Sequence, residues 1–210
     1  MPKPRDRGTG PDHSLTLRFY TSQIVADRLE KAIAKLPEVK SVRIDMPLRE
    51  IAVQWKGALD KATKLESTCA SAGAPAVLCR PMRIVVQDGG RGDDFLGTLR
   101  AVAGVTEVTP ESGGHVVWAD PGIDLAALVD AAKQARVALK VQSHRQTSLT
   151  YEAKKDGADP EKFFAALDET VGVLRLTRDD AGKSFALLST AQVDVAAVAR
   201  KWGLTLKEKK

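Results

Sequence analysis

The chain is poor in aromatics, thiols and long apolar runs. Aromatic residues make up 5% of its 210 residues, so its cores must be built mostly from Ala, Val, Leu and Ile. Two cysteines cannot staple a disulfide-rich scaffold. Together with three scattered histidines, His13, His115 and His144, they form no pattern for a structural zinc site. No apolar stretch approaches the roughly 20 residues that a membrane-crossing helix needs, so no membrane span is expected. The opening residues MPKPRDRGTGPDHS carry charge without an apolar segment, unlike a secretory signal. The expected compartment is the cytoplasm. The rest of the composition, 43% hydrophobic and 28% charged, is that of a folded protein and excludes disorder of the whole chain.

The net charge is +5, and the excess lies in residues 1–80, which hold 14 Lys and Arg against 9 Asp and Glu. A nucleic-acid footprint would cluster its cations. Here acids are interspersed, as in DRLEKAIAK, which reads as a solvated helix face with spaced charge pairs. Nucleic acid is therefore not an expected partner. Residues 1–13 are expected to form a basic flexible tail.

The repeat pattern is the most informative feature. LTLRFY alternates as a half-buried strand. Val25, Leu29, Ala32, Ile33 and Leu36 then recur at helical spacing until Pro37. Val39–Asp45 and Glu50–Lys56 predict a strand pair around MPLR. Ala58, Ala62, Leu65, Cys69 and Ala72 predict a second helix, and Ala76–Arg80 a closing strand. The same order follows twice more. In the second copy MRIVVQ, the Phe95–Val102 stripe, VTEVT, HVVWA, the Leu125–Ala135 stripe and VALKVQ take the six places. In the third, SLTYEA, a helix from Pro160, VLRLT, SFALLS, a helix through Val195 and Trp202, and LTLK do so. Val39, Val105 and Val173 each follow a helix at a tight turn, 66 and 68 residues apart. Trp55 and Trp118 are expected at equivalent places, packed under their helices. The expected fold is α+β: three tandem ferredoxin-like βαββαβ sandwiches, each with two helices on one face of a four-stranded antiparallel sheet. They are assigned to residues 14–80, 81–145 and 146–210, with short linkers that suggest packed copies.

The segment FYTSQIVADRLEKAIAKLPEVKSVRIDMPLREIAVQW resembles the heavy-metal-associated (HMA) domain family. That family includes soluble copper chaperones and the N-terminal tails of metal-pumping P-type ATPases. It reads roughly G-M-T-C-x-x-C, then a helix ending in L-x-x-L-x-G-V, then a hairpin. Tyr20 and Thr21 stand at the Met and Thr; Ile33, Leu36 and Val39 match the helix end; Val42, Ile44, Ala52 and Val53 match the hairpin. The second and third copies match in element order and in the Gly104–Val105 and Gly172–Val173 turns. By this alignment the two thiolate positions fall on Ser22 and Val25. A soft metal such as Cu(I) wants thiolates there, and neither residue supplies one. The corresponding loops DGGRGDD and KKDGADP hold no Cys or His either. The resemblance implies a partner-docking surface on the first loop and helix, at Tyr20, Thr21, Ser22, Gln23 and Arg28.

Other constellations read as structure. Cys69 and Cys79 continue apolar stripes, and both are expected to be mostly buried. QDGGRGDDF lacks the Lys-Ser/Thr of a phosphate loop and reads as a loop ending in an Asp93 helix cap. Each histidine reads as a surface residue. No nucleophile–base–acid order emerges, so no enzyme activity and no cofactor are expected. Alternation leaves almost no aromatic platform for RNA bases on the open sheet faces. The chain reads as a non-catalytic interaction or scaffold module for an unidentified protein partner. The alternative is a heavy-metal (Cu or Zn) binding or trafficking protein using Cys69, Cys79 or ligands supplied by a partner.

Overall fold

The computed structural model describes residues 11–20, 26–89, 93–153, 157–179 and 183–209, without the side chains of 93 and 94. It divides after Pro81 into two compact units. The first unit runs β1 (Asp12–Phe19), α1 (Ala26–Ile33), β2 (Val39–Asp45), β3 (Glu50–Lys56), α2 (Lys64–Ser71) and β4 (Ala76–Arg80). A 3-10 segment, Leu59–Thr63, leads into α2. The sheet order is β2-β3-β1-β4, antiparallel throughout. Alternation puts Leu15, Leu17 and Phe19 beside Ile51, Val53 and Trp55 on one face, where all six are buried. Leu29 and Ile33 of α1 and Leu65 and Cys69 of α2 are buried with them. The Trp55 indole N–H donates to the Ala58 carbonyl at 3.3 Å, which anchors the ring at the entry to the 3-10 segment.

The second unit holds two more sheets. One contains β5 (Met82–Gln87), α3 (Asp93–Arg100), β6 (Val105–Glu111), β7 (Gly114–Ala119), α4 (Leu125–Gln134) and β8 (Lys140–Val141), in the order β6-β7-β5-β8. The other contains β9 (His144–Ala153), α5 (Pro160–Asp168), β10 (Val173–Asp179), β11 (Ser184–Thr190), α6 (Val195–Lys201) and β12 (Leu204–Glu208), in the order β10-β11-β9-β12. All three sheets therefore share one strand order, that of the ferredoxin-like sandwich. Helices α4, α5 and α6 each start behind an aspartate, Asp124, Asp159 and Asp194, whose carboxylate accepts a first-turn backbone N–H. Pro160 occupies the first turn of α5, as its missing N–H allows.

Register makes the repeat quantitative and corrects one expectation. Val39 pairs with Trp55, Val105 with Ala119 and Val173 with Ser189. Trp55 is thus equivalent to Ala119, not to Trp118. Trp118 shares its register position with Gln54 and Leu188. A one-residue offset turns a strand side chain to the opposite face. Trp118 therefore points away from its helices, together with Val116, yet its exposure is 0% and that of Val116 is 4%. Leu188, on the same face of the third sheet, is 1% exposed. So an aromatic does lie on this face of the second sheet, but it is inaccessible to a base.

The closing strand of the second sheet is also shorter than VALKVQ suggested. Only Lys140 and Val141 form it. Beyond them, the Gln142 N–H donates to the Val85 carbonyl at 2.9 Å, and the Ser143 hydroxyl accepts the Val85 N–H at 2.9 Å. A side chain thus replaces the next ladder bond and frees the backbone to enter β9 at His144, ahead of the boundary read from the sequence. The Ser143 carbonyl accepts from the Ala191 N–H at 2.8 Å, and Gln146 Oε1 from the Leu125 N–H at 3.0 Å. These bonds tie the second and third sheets together within one unit.

Candidate functional site

Helix α1 is amphipathic. Leu29 and Ile33 face the core, and the opposite side carries Arg28, Lys31 and, just past the helix end, Lys35. Their spacing of three and four residues places them on one stripe. This stripe and Ser67, Thr68 and Ser71 of α2 line a surface groove of about 650 Å³. Among the described residues, the three cations make no ion pair and no side-chain hydrogen bond. Asp27 is the one acid on the lining. The groove presents an excess of positive charge on one wall and hydroxyls on the other.

Of the sequence-predicted docking residues, Arg28 lies on this wall and is exposed. Tyr20 directly follows β1 and is half-buried; its N–H donates to the Pro75 carbonyl at 3.3 Å, and the Arg18 guanidinium sits 5.9 Å from its ring centre. Thr21, Ser22, Gln23 and Val25, including both family ligand positions, lie outside the described residues. Lys31, Lys35 and the α2 hydroxyls were missed as site residues. Their signal was present in DRLEKAIAK, but the interspersed acids Asp27 and Glu30 made the segment look like a neutral solvated face.

The two thiols lie on different elements, Cys69 on α2 and Cys79 on β4. Cys69 is fully buried under α2, and burial, reinforced by Glu66, pushes its pKa up to about 12. Cys79 lies on β4 at the bulge opposite Thr16 and Leu17. It is mostly buried, as expected, donates to the Thr16 carbonyl at 3.2 Å, and is pushed up to about 11, chiefly by burial and then by Glu50. Both are held as thiols rather than as the thiolates a soft metal requires. Among the described residues, no three His, Cys, Asp or Glu side chains gather in a metal-binding group.

Two histidines expected at the surface are buried. His115 takes the register place of Ile51 on the helix face, and its ring Nδ1 meets the buried carboxylate of Asp88. That partner lies just past the end of the neighbouring strand, where a search in helical register does not reach. His144 sits at the junction of the second and third sheets; its Nδ1 is 2.7 Å from the Ser143 hydroxyl, and burial pulls its pKa down to about 4.

No protein-family model matches the chain, and no curated protein matches it. Several solved structures are similar to it. Oxidized MerP from Ralstonia metallidurans CH34 is 25% identical over 32% of this chain and 97% of its own, with a TM-score of 0.29. The water-soluble region of the P-type ATPase CopA from Bacillus subtilis is 14% identical over 64% of this chain and 93% of its own, with a TM-score of 0.37. The N-terminal soluble domains of Bacillus subtilis CopA are 10% identical over 96% of this chain and 97% of their own, with a TM-score of 0.29. The fold assignment itself rests on the strand order and register of this chain.

Proposed function

We propose that the chain is a non-catalytic protein-docking module built from HMA-like folds that lack the family's thiolate ligands. Its docking surface is the cationic wall of the α1–α2 groove in the first unit. The observation that carries this reading is the stripe Arg28, Lys31 and Lys35, three cations against the single acid Asp27 on the groove lining. An excess of one charge on one face steers a complementary partner and selects against like-charged ones. The test compares proteins retained by the wild-type chain with those retained by the triple variant Arg28→Glu, Lys31→Glu, Lys35→Glu. A partner held by the wild type, released by raised salt and absent from the variant is the expected result. Identical retention by both would overturn the reading.

The metal-trafficking alternative has a separate readout. Stoichiometric Cu(I) binding by the wild type, lost in Cys69→Ser, Cys79→Ser, would favour it over docking. The alignment of the first loop is tested by Ser22→Cys, Val25→Cys. This variant is expected to gain a thiol-dependent Cu(I) site that the wild type lacks. Failure of the folded variant to bind would refute the alignment while leaving the α1–α2 surface untouched.

A further inference from the structure

The cationic stripe of α1 is peculiar to the first of the three folds. Its buried pair Leu29 and Ile33 corresponds to Phe95 and Leu99 in the second fold and to Phe163 and Leu167 in the third. The turn after each helix closes in the same way: the Val39 N–H donates to the Leu36 carbonyl, Val105 to Val102 and Val173 to Thr170. By this register Arg28, Lys31 and Lys35 correspond to Asp94, Gly97 and Ala101 in the second fold, and to Lys162, Ala165 and Glu169 in the third. Neither repeats the stripe, and Lys162 is paired with Asp159 at 2.9 Å. The fold therefore does not require three cations on this side of α1.

The α2 wall of the groove supplies hydroxyls and no charge. The Ser67 hydroxyl donates to the Lys64 carbonyl at 2.9 Å, within its own helix. Those of Thr68 and Ser71 make no hydrogen bond among the described residues. Among the described lining residues, Ala32 and Ala72 are the only apolar side chains. Asp27 stands at the N-terminal end of the stripe and offsets one of the three cations, which leaves an excess of two. The volume of about 650 Å³ lies within the range of small-molecule sites, but this lining is almost wholly polar, where such sites are mostly apolar.

From this we infer that the α1–α2 groove binds a small ligand carrying two or more phosphate groups. Phosphate oxygens accept from guanidinium, ammonium and hydroxyl donors alike, and the contacts to cations are charge-assisted. The stripe from Arg28 to Lys35 runs about 10 Å along the helix axis at 1.5 Å per residue, farther than a single phosphate reaches. Two alanines offer no surface for a ring or an acyl chain, so the part of the ligand in the groove is polar throughout. A free phosphorylated anion and the headgroup of a phosphorylated lipid share this chemistry. The inference rests on the reading of this groove as the recognition surface, and it makes the anion a competitor of the docked protein.

Two titrations of the full chain test it. Calorimetry with inorganic triphosphate, against sulfate as the single-anion control, probes the free ligand. Co-sedimentation with phosphatidylcholine vesicles, with and without phosphatidylinositol bisphosphate, probes the headgroup. Saturable one-to-one binding of triphosphate, tighter than that of sulfate, assigns a free anion; binding to the phosphorylated vesicles alone assigns the lipid. In either case Arg28→Gln, Lys35→Gln should weaken binding about tenfold or more, and Thr68→Val, Ser71→Ala about threefold or more with no change of charge. No binding of either probe overturns the inference. So does unchanged affinity in the folded hydroxyl variant, because diffuse charge attraction needs no hydroxyls. Unchanged affinity in Arg28→Gln, Lys35→Gln, both at exposed positions, overturns it even if the hydroxyl variant does not fold. A protein partner held by the wild type and lost from the charge-reversed triple variant, with neither probe bound, would end this inference and leave the docking reading intact.

Discussion

The first and second sheets share strand order and register, yet they treat the face away from their helices in opposite ways. In the first sheet this face carries Ala52 and Gln54, both exposed, and the Gln54 amide donates to the Ser14 hydroxyl at 3.0 Å. In the second sheet the same register positions hold Val116 and Trp118, and both are buried. Burying one indole is worth about 4 kcal/mol by area. One backbone plan therefore yields a sheet face left to solvent in one copy and consumed by packing in another. The difference lies in two outward-facing residues, and it separates surface available to a partner from surface already used.

The largest effect on this comparison is expected from Gly114, the first residue of β7. A Cβ there would collide with the Val86 carbonyl oxygen and press on Gln87 Cα at 3.0 Å, both of them backbone. Gly114→Ala should cost about 3 kcal/mol or more and selectively unfold the second sheet. Circular dichroism and hydrogen exchange would check this; an unchanged melting curve would mean that the strands are not so closely apposed. In the first unit, Trp55→Ala should cost about 3–5 kcal/mol, because the ring is fully buried beside the 3-10 segment. A loss below 1 kcal/mol in chemical denaturation would contradict that packing.

Acid should also distinguish the regions. His144 is neutral when folded, with its pKa pulled from 6.5 to about 4 by burial. Its unfolded form takes up a proton first as pH falls below 6.5, so stability is lost between about pH 6.5 and 4. The shift corresponds to about 3 kcal/mol in the second unit. His144→Gln should flatten the acid limb of a denaturant-midpoint profile; an unchanged slope would place the titration elsewhere. The thiols carry the opposite sign. Their pKa values, raised from 9.0 to about 12 and 11, make stability of the first unit fall as pH rises above 9. Cys69→Ala should reduce that alkaline loss. The smallest change is expected for Arg28→Glu, Lys31→Glu, Lys35→Glu, within about 0.5 kcal/mol, since the three side chains hold no partner among the described residues.

The element order was legible because each strand and helix carries its own period. β2 and β3, for example, were bounded to the residue by alternation and by the MPLR turn. What alternation could not decide was which face of a strand meets the helices when both are apolar. HVVWA is apolar almost throughout, and the large ring of Trp118 pointed to the wrong face. The ladder register with Val105 resolves it. VALKVQ looked like a full strand because its composition suits one, but Ser143 ends the ladder after two residues through a side-chain bond that no period encodes. The docking stripe was visible as charges and invisible as a groove. Its second wall, Ser67, Thr68 and Ser71, lies some forty residues away, and only the pairing of α1 with α2 brings it there.

The central claim is that the face away from the helices is structural in the second sheet and free in the first. Paired substitutions at one register position test it: Trp118→Ala against Gln54→Ala, each read by residue-resolved hydrogen exchange of the full chain. Trp118→Ala should cost about 3–5 kcal/mol and strip protection from β5 and β7. Gln54→Ala should change the protection of β1 and β3 by less than about 0.5 kcal/mol. Equal losses at the two positions, or a Trp118→Ala variant that keeps full protection in β5 and β7, would contradict the claim.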